Sequence, residues 1–155
     1  MDLILWRHAE ALEADPGQDD LERPLSPKGQ KQARRMSEWL RSQLPDSCRI
    51  LVSPALRTRE TVEPLQRKFK LVNEIAPGAD AEDVLLAANW PNAKEPVLVV
   101  GHQPTLGQVA ALLLSGHPQD WQVKKGSIWW IVQREPLDPY SVYLKAVMAP
   151  EMIIK

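Results

Sequence analysis

The stretch Leu3-Ile4-Leu5-Trp6-Arg7-His8 reads as a buried strand that ends in chemistry. Four consecutive apolar residues suit a strand covered on both faces, and the change to arginine and histidine is abrupt. In open α/β sheets the ligand crevice lies outside the carboxyl ends of the strands. A strand that carries a cation and an imidazole to that end predicts where an active site lies.

Outward from this strand, the chain alternates between short apolar runs and helical patterns. After His8, the segment 9–24 lacks periodicity and carries Glu10, Glu13, Asp15, Asp19, Asp20 and Glu22. It reads as a long loop, either a functional rim or a solvated acidic stretch. Ser26-Pro27 opens a helix as N-cap and first helical residue, with Ala33, Met36, Trp39, Leu40 and Leu44 as its buried stripe. Lys28, Lys31, Arg34, Arg35 and Arg41 lie mainly off that stripe and read as a solvated face. Arg49-Ile50-Leu51-Val52 is a second strand, and Ser53-Pro54 predicts a second cap and helix start, with Val62, Leu65 and Phe69 turned inward. Arginine at position 57, near the positive end of that helix dipole, makes sense beside an anion; pairing with Glu60 or Glu63 is the plainer alternative.

Residues 70–75 form a weak third strand, and Asp80 caps a helix with Val84, Leu85 and Ala88 inside. Val97-Leu98-Val99-Val100 is a buried strand ending in Gly101-His102; Pro104 opens a helix that stops at Ser115-Gly116. Two β-prone runs, 127–132 and 141–148, then follow with no helix between them and predict an antiparallel hairpin. The expected fold is three-layer α/β/α around a mixed, mostly parallel sheet, forming one domain over residues 1–155.

Composition narrows the functions available. A net charge of -1 offers no field for nucleic acid or an anionic membrane, so any phosphate binding has to be local. Cys48 is the only cysteine, which excludes an internal disulfide and the common zinc and redox cysteine patterns. No cofactor or metal set is expected. Met1-Asp2 leads directly into the first strand without a signal-like segment, so the expected location is the cytoplasm. The six tryptophans read as packing rather than a base-stacking platform, and His117 as a turn residue.

Right-handed crossovers bring the ends of parallel strands to one edge. Arg7, His8, Arg57 and His102 should therefore meet. Two guanidiniums can hold a phosphoryl group by bidentate hydrogen bonds and stay charged. A neutral imidazole can attack phosphorus in line when its other ring nitrogen is held by an acceptor, and nearby arginines disfavour its protonation. His102 would clamp the equatorial oxygens, with N–H groups near Ser53 and Gln103 adding to the pocket.

Arg7-His8-Ala9-Glu10, Ser53-Pro54-Ala55-Leu56-Arg57 with Thr61, and Val99-Val100-Gly101-His102 resemble the signature segments of the histidine phosphatase (phosphoglycerate mutase-like) superfamily. Arg23-Pro24-Leu25-Ser26 with Gly29, the short chain and the lack of a cap insertion resemble the SixA-type phosphohistidine phosphatases. The resemblance implies a phosphorylated nucleophile at His8, a phosphate pocket of Arg7, Arg57 and His102, and six strands with one antiparallel. It also implies a phosphohistidine-containing signalling protein as partner. Ala9 stands where the superfamily usually has glycine. No carboxylate is assigned as general acid; Glu10, Glu13, Asp19 and Glu74 are candidates. Its lack suits P–N cleavage, because imidazole leaves easily and an alkoxide does not. Two alternatives stay open: a non-catalytic module that binds phospho-ligands, and a phosphatase or mutase of small phosphate esters.

Overall fold

The computed structural model describes residues 1–153. Six strands form one sheet: β1 (Asp2–Arg7), β2 (Arg49–Val52), β3 (Lys70–Leu71), β4 (Val97–Gly101), β5 (Ile128–Gln133) and β6 (Val142–Met148), in the spatial order β3-β2-β4-β1-β5-β6. β1, β2, β3 and β4 pair in parallel, and β5 runs antiparallel to both its neighbours. The sheet is thus mixed, with one reversed strand in the C-terminal hairpin. Four helices flank it: α1 (Pro27–Gln43), α2 (Leu56–Val62), α3 (Ala81–Ala87) and α4 (Thr105–Ser115).

Alternation along the strands makes the three layers. Ile4, Trp6, Leu98 and Val100 face a core closed by Met36 and Leu40 of α1 and Val62 of α2. Leu3, Leu5, Val97 and Val99 face the opposite core, closed by Val84 of α3 and Leu106, Val109 and Ala110 of α4. Both faces of β1 and β4 are buried, so their sequences read as unbroken apolar runs. Trp6 donates from Nε1 to Gly126 O at 3.1 Å and Trp130 to Asp2 Oδ2 at 2.8 Å, which makes both tryptophans packing residues with satisfied polar ends.

The helix signals hold where a side chain can supply the cap. Ser26 accepts from Gly29 N at 3.0 Å with Pro27 at the first position, and Asp80 forms a reciprocal capping box with Asp83. Gly116 closes α4 in the left-handed conformation at φ 85°.

Three local expectations are corrected. The second helix starts at Leu56 rather than at Pro54, because Ser53 still belongs to the sheet: its N–H donates to Val100 O at 3.0 Å. Phe69 is 40% exposed, since a 3-10 turn at Glu63–Leu65 and a left-handed Gln66 break the helical phase before it. The third strand shrinks to two exposed residues at the sheet edge, where Val72 N makes a further bond to Val52 O before a 3-10 turn at Asn73–Ile75. Such brevity protects an edge from pairing with other chains.

The segment after α4 is held by a close backbone approach. A Cβ on Gly107 would lie 1.8 Å from the carbonyl oxygen of Trp121, so only glycine lets α4 seat against this segment. Gln103 locks the same contact by donating to Trp121 O at 2.8 Å and accepting from Gly107 N at 2.7 Å. Gly107→Ala is expected to lower the unfolding free energy by about 1–3 kcal/mol through overpacking. Urea denaturation measures this, and an unchanged midpoint would contradict the packing described.

Candidate active site

Register places the four predicted residues. Arg7 pairs with Gly101 across two parallel strands, and His8 N donates to Gly101 O at 3.1 Å. His8 and His102 therefore leave adjacent strands side by side, with ring centroids 5.3 Å apart and planes tilted by 54°. Arg57, in the first turn of α2, is buried and close enough to disfavour protonation of both imidazoles; half-buried Arg7 acts in the same sense. The structure brings all four together at the carboxyl edge of the sheet.

The orientation of His8 follows from one hydrogen bond. Its Nδ1 lies 2.7 Å from Ala9 O, and a carbonyl can only accept, so Nδ1 carries the proton. Nε2 keeps its lone pair. The peptide of that carbonyl is held by Glu10 N, which donates to Gln32 Oε1 at 3.0 Å, while Ala9 N donates to Thr61 Oγ1 at 3.0 Å and Thr61 Oγ1 donates to Arg57 O at 2.7 Å. One threonine thus ties the histidine loop to the backbone of the arginine turn. On the other side Gly126 N donates to His8 O at 3.0 Å, and Arg7 Nη1 donates to Val123 O at 3.0 Å.

His102 Nε2 lies 2.7 Å from the Oγ of fully buried Ser53. Its Nδ1 has no hydrogen-bond partner, and neither do the buried Nε atoms of Arg7 and Arg57. Among the described residues only one further buried side-chain polar atom, Ser37 Oγ, lacks a partner. A buried polar group left unpaired costs about 1–3 kcal/mol, so three of them in one constellation mark a place shaped for something else. The two arginine Nε–H groups lack acceptors, which a tetrahedral oxyanion brings, and His102 Nδ1 joins them as a donor when Ser53 Oγ donates to Nε2.

Burial is the main reason both imidazoles stay neutral. Burial leads in bringing His8 down to about 4, opposed by the hydrogen bond to the Ala9 carbonyl and helped by the charges of Arg57, Arg7 and Arg23. It pulls His102 down to about 3, aided by His8, Arg57 and Arg7 and opposed by Asp20. The arginines act in the expected direction, and desolvation outweighs them.

The site contains one carboxylate that the sequence reading did not single out. Arg57 donates from Nη1 to Asp20 O at 2.8 Å and from Nη2 to Asp20 Oδ2 at 3.0 Å, while Arg23 Nη1 reaches Asp20 Oδ1 at 3.2 Å. Arg57 therefore pairs with the long loop, not with Glu60 or Glu63 of its own helix; Glu60 instead accepts from Leu25 N at 2.7 Å. Asp20 sits in a 3-10 turn, Asp20–Glu22, capped by Asp19. Burial pushes the Asp20 carboxyl up, but hydrogen bonds and charge from Arg57 and Arg23 outweigh this and hold it below the usual range. It is an anion here, not a proton store.

The four acid candidates are placed elsewhere. Glu10 Oε2 accepts from Ser26 Oγ at 2.7 Å, Asp19 serves the turn, and Glu13 is exposed. Glu74 lines a cavity with Arg49, Lys70 and Asp83, a set that includes none of the four site residues. Asp20, Arg23 and Thr61 are the participants left without a role in the sequence reading, and Ser53 takes part through its hydroxyl on His102 rather than as a helix cap. The anomalous position of Arg57 at a helix start was the available signal for Asp20.

Residues 3–80 match the model of the histidine phosphatase superfamily, branch 1. The phosphohistidine phosphatase SixA of Escherichia coli K12 is 32% identical over 124 residues, 75% of this chain and 76% of that protein. A SixA homolog of Haemophilus influenzae is 31% identical over 128 residues, 73% and 77% of the two chains. The structure of the protein histidine phosphatase SixA complexed with tungstate superposes with a TM-score of 0.74 at 24% identity, covering 99% of this chain and 100% of that one.

The two depressed histidines set an acid limit on stability. Between pH 6.5 and about 4 the unfolded chain binds protons on both imidazoles that the folded site refuses, so stability falls as pH falls through this window. From pH 7 to pH 5 the two together should cost about 2–4 kcal/mol. Urea unfolding at both pH values reads this loss, and it should shrink in the double variant His8→Asn/His102→Asn. An equal acid loss in that variant would mean that the imidazoles titrate as freely folded as unfolded.

Proposed function

The chain belongs to the histidine phosphatase superfamily as a phosphatase of the SixA kind, and we propose that it removes the phosphoryl group from phosphohistidine on a protein, through a phospho-His8 intermediate. The observation that carries this reading is the trio of unpartnered buried nitrogens on Arg7, Arg57 and His102 around a histidine whose free nitrogen is fixed as Nε2.

In the proposed reaction the phosphoryl oxygens accept from these nitrogens. The lone pair of His8 Nε2 attacks phosphorus in line while the bond from phosphorus to the substrate imidazole breaks. The departing ring takes that electron pair and leaves neutral when its second nitrogen already bears a proton. Water then attacks the phospho-His8 phosphorus, and His8 departs in the same way, with Nδ1–H still donating to Ala9 O. Phosphate and a proton are released. Both steps exchange one imidazole for another nucleophile, and neither asks the protein for an acid.

The carboxylate chemistry supports P–N over P–O cleavage. A sugar or serine alkoxide needs a proton as it leaves, whereas Asp20, the carboxylate on Arg57, is held ionised. The connections that leave the site edge after β2 and β4 are short, residues 53–55 and 102–104, and the long one after β1 reaches the site through Asp20 on Arg57.

Turnover of phosphoramidate and of a phosphohistidine peptide should fall on the order of 10³-fold or more in His8→Ala. Arg57→Ala should lose about 10²–10³-fold, as expected for a donor to the transferring group. Wild-type enzyme mixed with labelled substrate and quenched in base should yield phospho-His8 by mass spectrometry. Equal rates for wild type and His8→Ala would leave a module that binds phospho-ligands without turning them over. Faster hydrolysis of alkyl phosphates than of phosphoramidates would instead mark a phosphatase of small esters.

A further inference from the structure

The charge around the pocket is divided rather than mixed. Lys28, Lys31 and Arg35 recur at i, i+3 and i+7 on one face of α1, where they line a cleft of about 350 Å³ with Gln32, Pro150 and Glu151. The cleft adjoins the site through two contacts. Gln32 Oε1 accepts from the N–H of Glu10 at 3.0 Å, two residues beyond His8. Gly126, which donates to His8 O, packs so closely that a Cβ there would lie 2.9 Å from Pro150 Cγ and 3.5 Å from Gln32. Just before that glycine, Lys124 and Lys125 are exposed on the turn whose Val123 carbonyl holds Arg7.

Five cations thus stand at one flank of the pocket, on a chain whose net charge is -1. Among the described residues the two ion pairs both use Asp20, so none of the five is engaged in one. Among the described residues Glu151 is the one carboxylate lining the cleft. Across the pocket, the loop bearing exposed Glu13, Asp15, Asp19 and Glu22 approaches α2 on the β2 side, whereas the cleft lies between α1 and the turn at Pro150–Met152 beyond β6.

Building on the phosphohistidine reading, we infer that the Lys28-Lys31-Arg35-Lys125 face is the docking surface for the substrate protein, and that it recognises a cluster of acidic side chains flanking the phosphohistidine. Such complementarity raises encounter rates and fixes orientation more than it adds affinity. A nucleic acid is disfavoured because a uniform polyanion at this mouth also meets the acidic loop, whereas a protein surface can carry charge of either sign where needed.

The test uses two synthetic phosphohistidine peptides that differ only in their flanks, glutamate or lysine, together with the phosphoramidate ion. The charge-reversal variant Lys28→Glu/Lys31→Glu/Lys125→Glu should lose about tenfold in kcat/KM on the glutamate-flanked peptide and keep its rate on phosphoramidate. The wild-type preference for that peptide should fade between about 0.05 M and about 0.5 M salt. Equal treatment of the two peptides by wild type and variant overturns the docking surface and leaves the phosphatase reading intact. If wild type hydrolyses none of the three, the phosphatase reading fails, and docking is judged by binding of the unphosphorylated glutamate peptide: weaker binding by the variant supports it, and equal binding overturns it. Tighter binding of a DNA duplex than of that peptide, lost in the variant, overturns it in favour of nucleic acid.

Discussion

The pairing of β1 with β4 in parallel register is the constraint on which the site rests. Arg7 opposite Gly101 sets two strand ends level, and the His8 N–H to Gly101 O bond extends the ladder one residue beyond them. A slip of one residue would turn His8 and His102 to opposite faces of the sheet and invert the alternation that fills both cores. Packing therefore enforces chemistry: Leu3 and Leu5 cannot stay in one core, and Ile4 and Trp6 in the other, unless the imidazoles emerge where they do. Once these two ends are fixed, β2 on the far side of β4 brings its own turn, and Arg57 with it, to the same edge.

What the fold assembles there is costly by itself. Two imidazoles and the Arg57 guanidinium are buried together beside half-buried Arg7, and three of their nitrogens lack partners. The free protein lessens this in two ways. It keeps both imidazoles uncharged, chiefly by burial, and it lends Arg57 the Asp20 carboxylate from the long loop. The loop that looked structureless in sequence is the means by which an empty cationic pocket is held together, since Asp20 uses its backbone carbonyl and both side-chain oxygens on Arg57 and Arg23.

The residues that sequence could place are those whose environment is set by period and punctuation. Leu3 to His8 and Val97 to His102 could be read because doubly buried strands are uniformly apolar and then stop. Ser26, Asp80 and Gly116 could be read because caps have local chemistry. Ser53 was misread for the same reason: Ser-Pro is a strong helix start, but here the hydroxyl lies against His102, 49 positions away, and the sheet claims the backbone. Asp20 was invisible because the six acidic residues of the 9–24 segment look alike in sequence, and only the three-dimensional position of α2 distinguishes one of them. Phe69 failed through a single left-handed residue, Gln66, that no period announces.

Asp20 also connects the electrostatics of the site to the choice of reaction. A proton donor must hold its proton near neutral pH, which requires burial to outweigh neighbouring cations. At Asp20 the balance runs the other way, because the same arginines that suit the pocket to an oxyanion stabilise the carboxylate. An acid of this kind could be restored only by moving the carboxylate away from Arg57, which would leave that guanidinium buried without a counter-charge in the empty state. Pairing with Arg57 and holding a proton are thus alternatives for this one residue, and the geometry favours the ion pair. A leaving group that departs without an external proton is the kind of substrate with which this arrangement is consistent, and imidazole meets that requirement where an alkoxide does not.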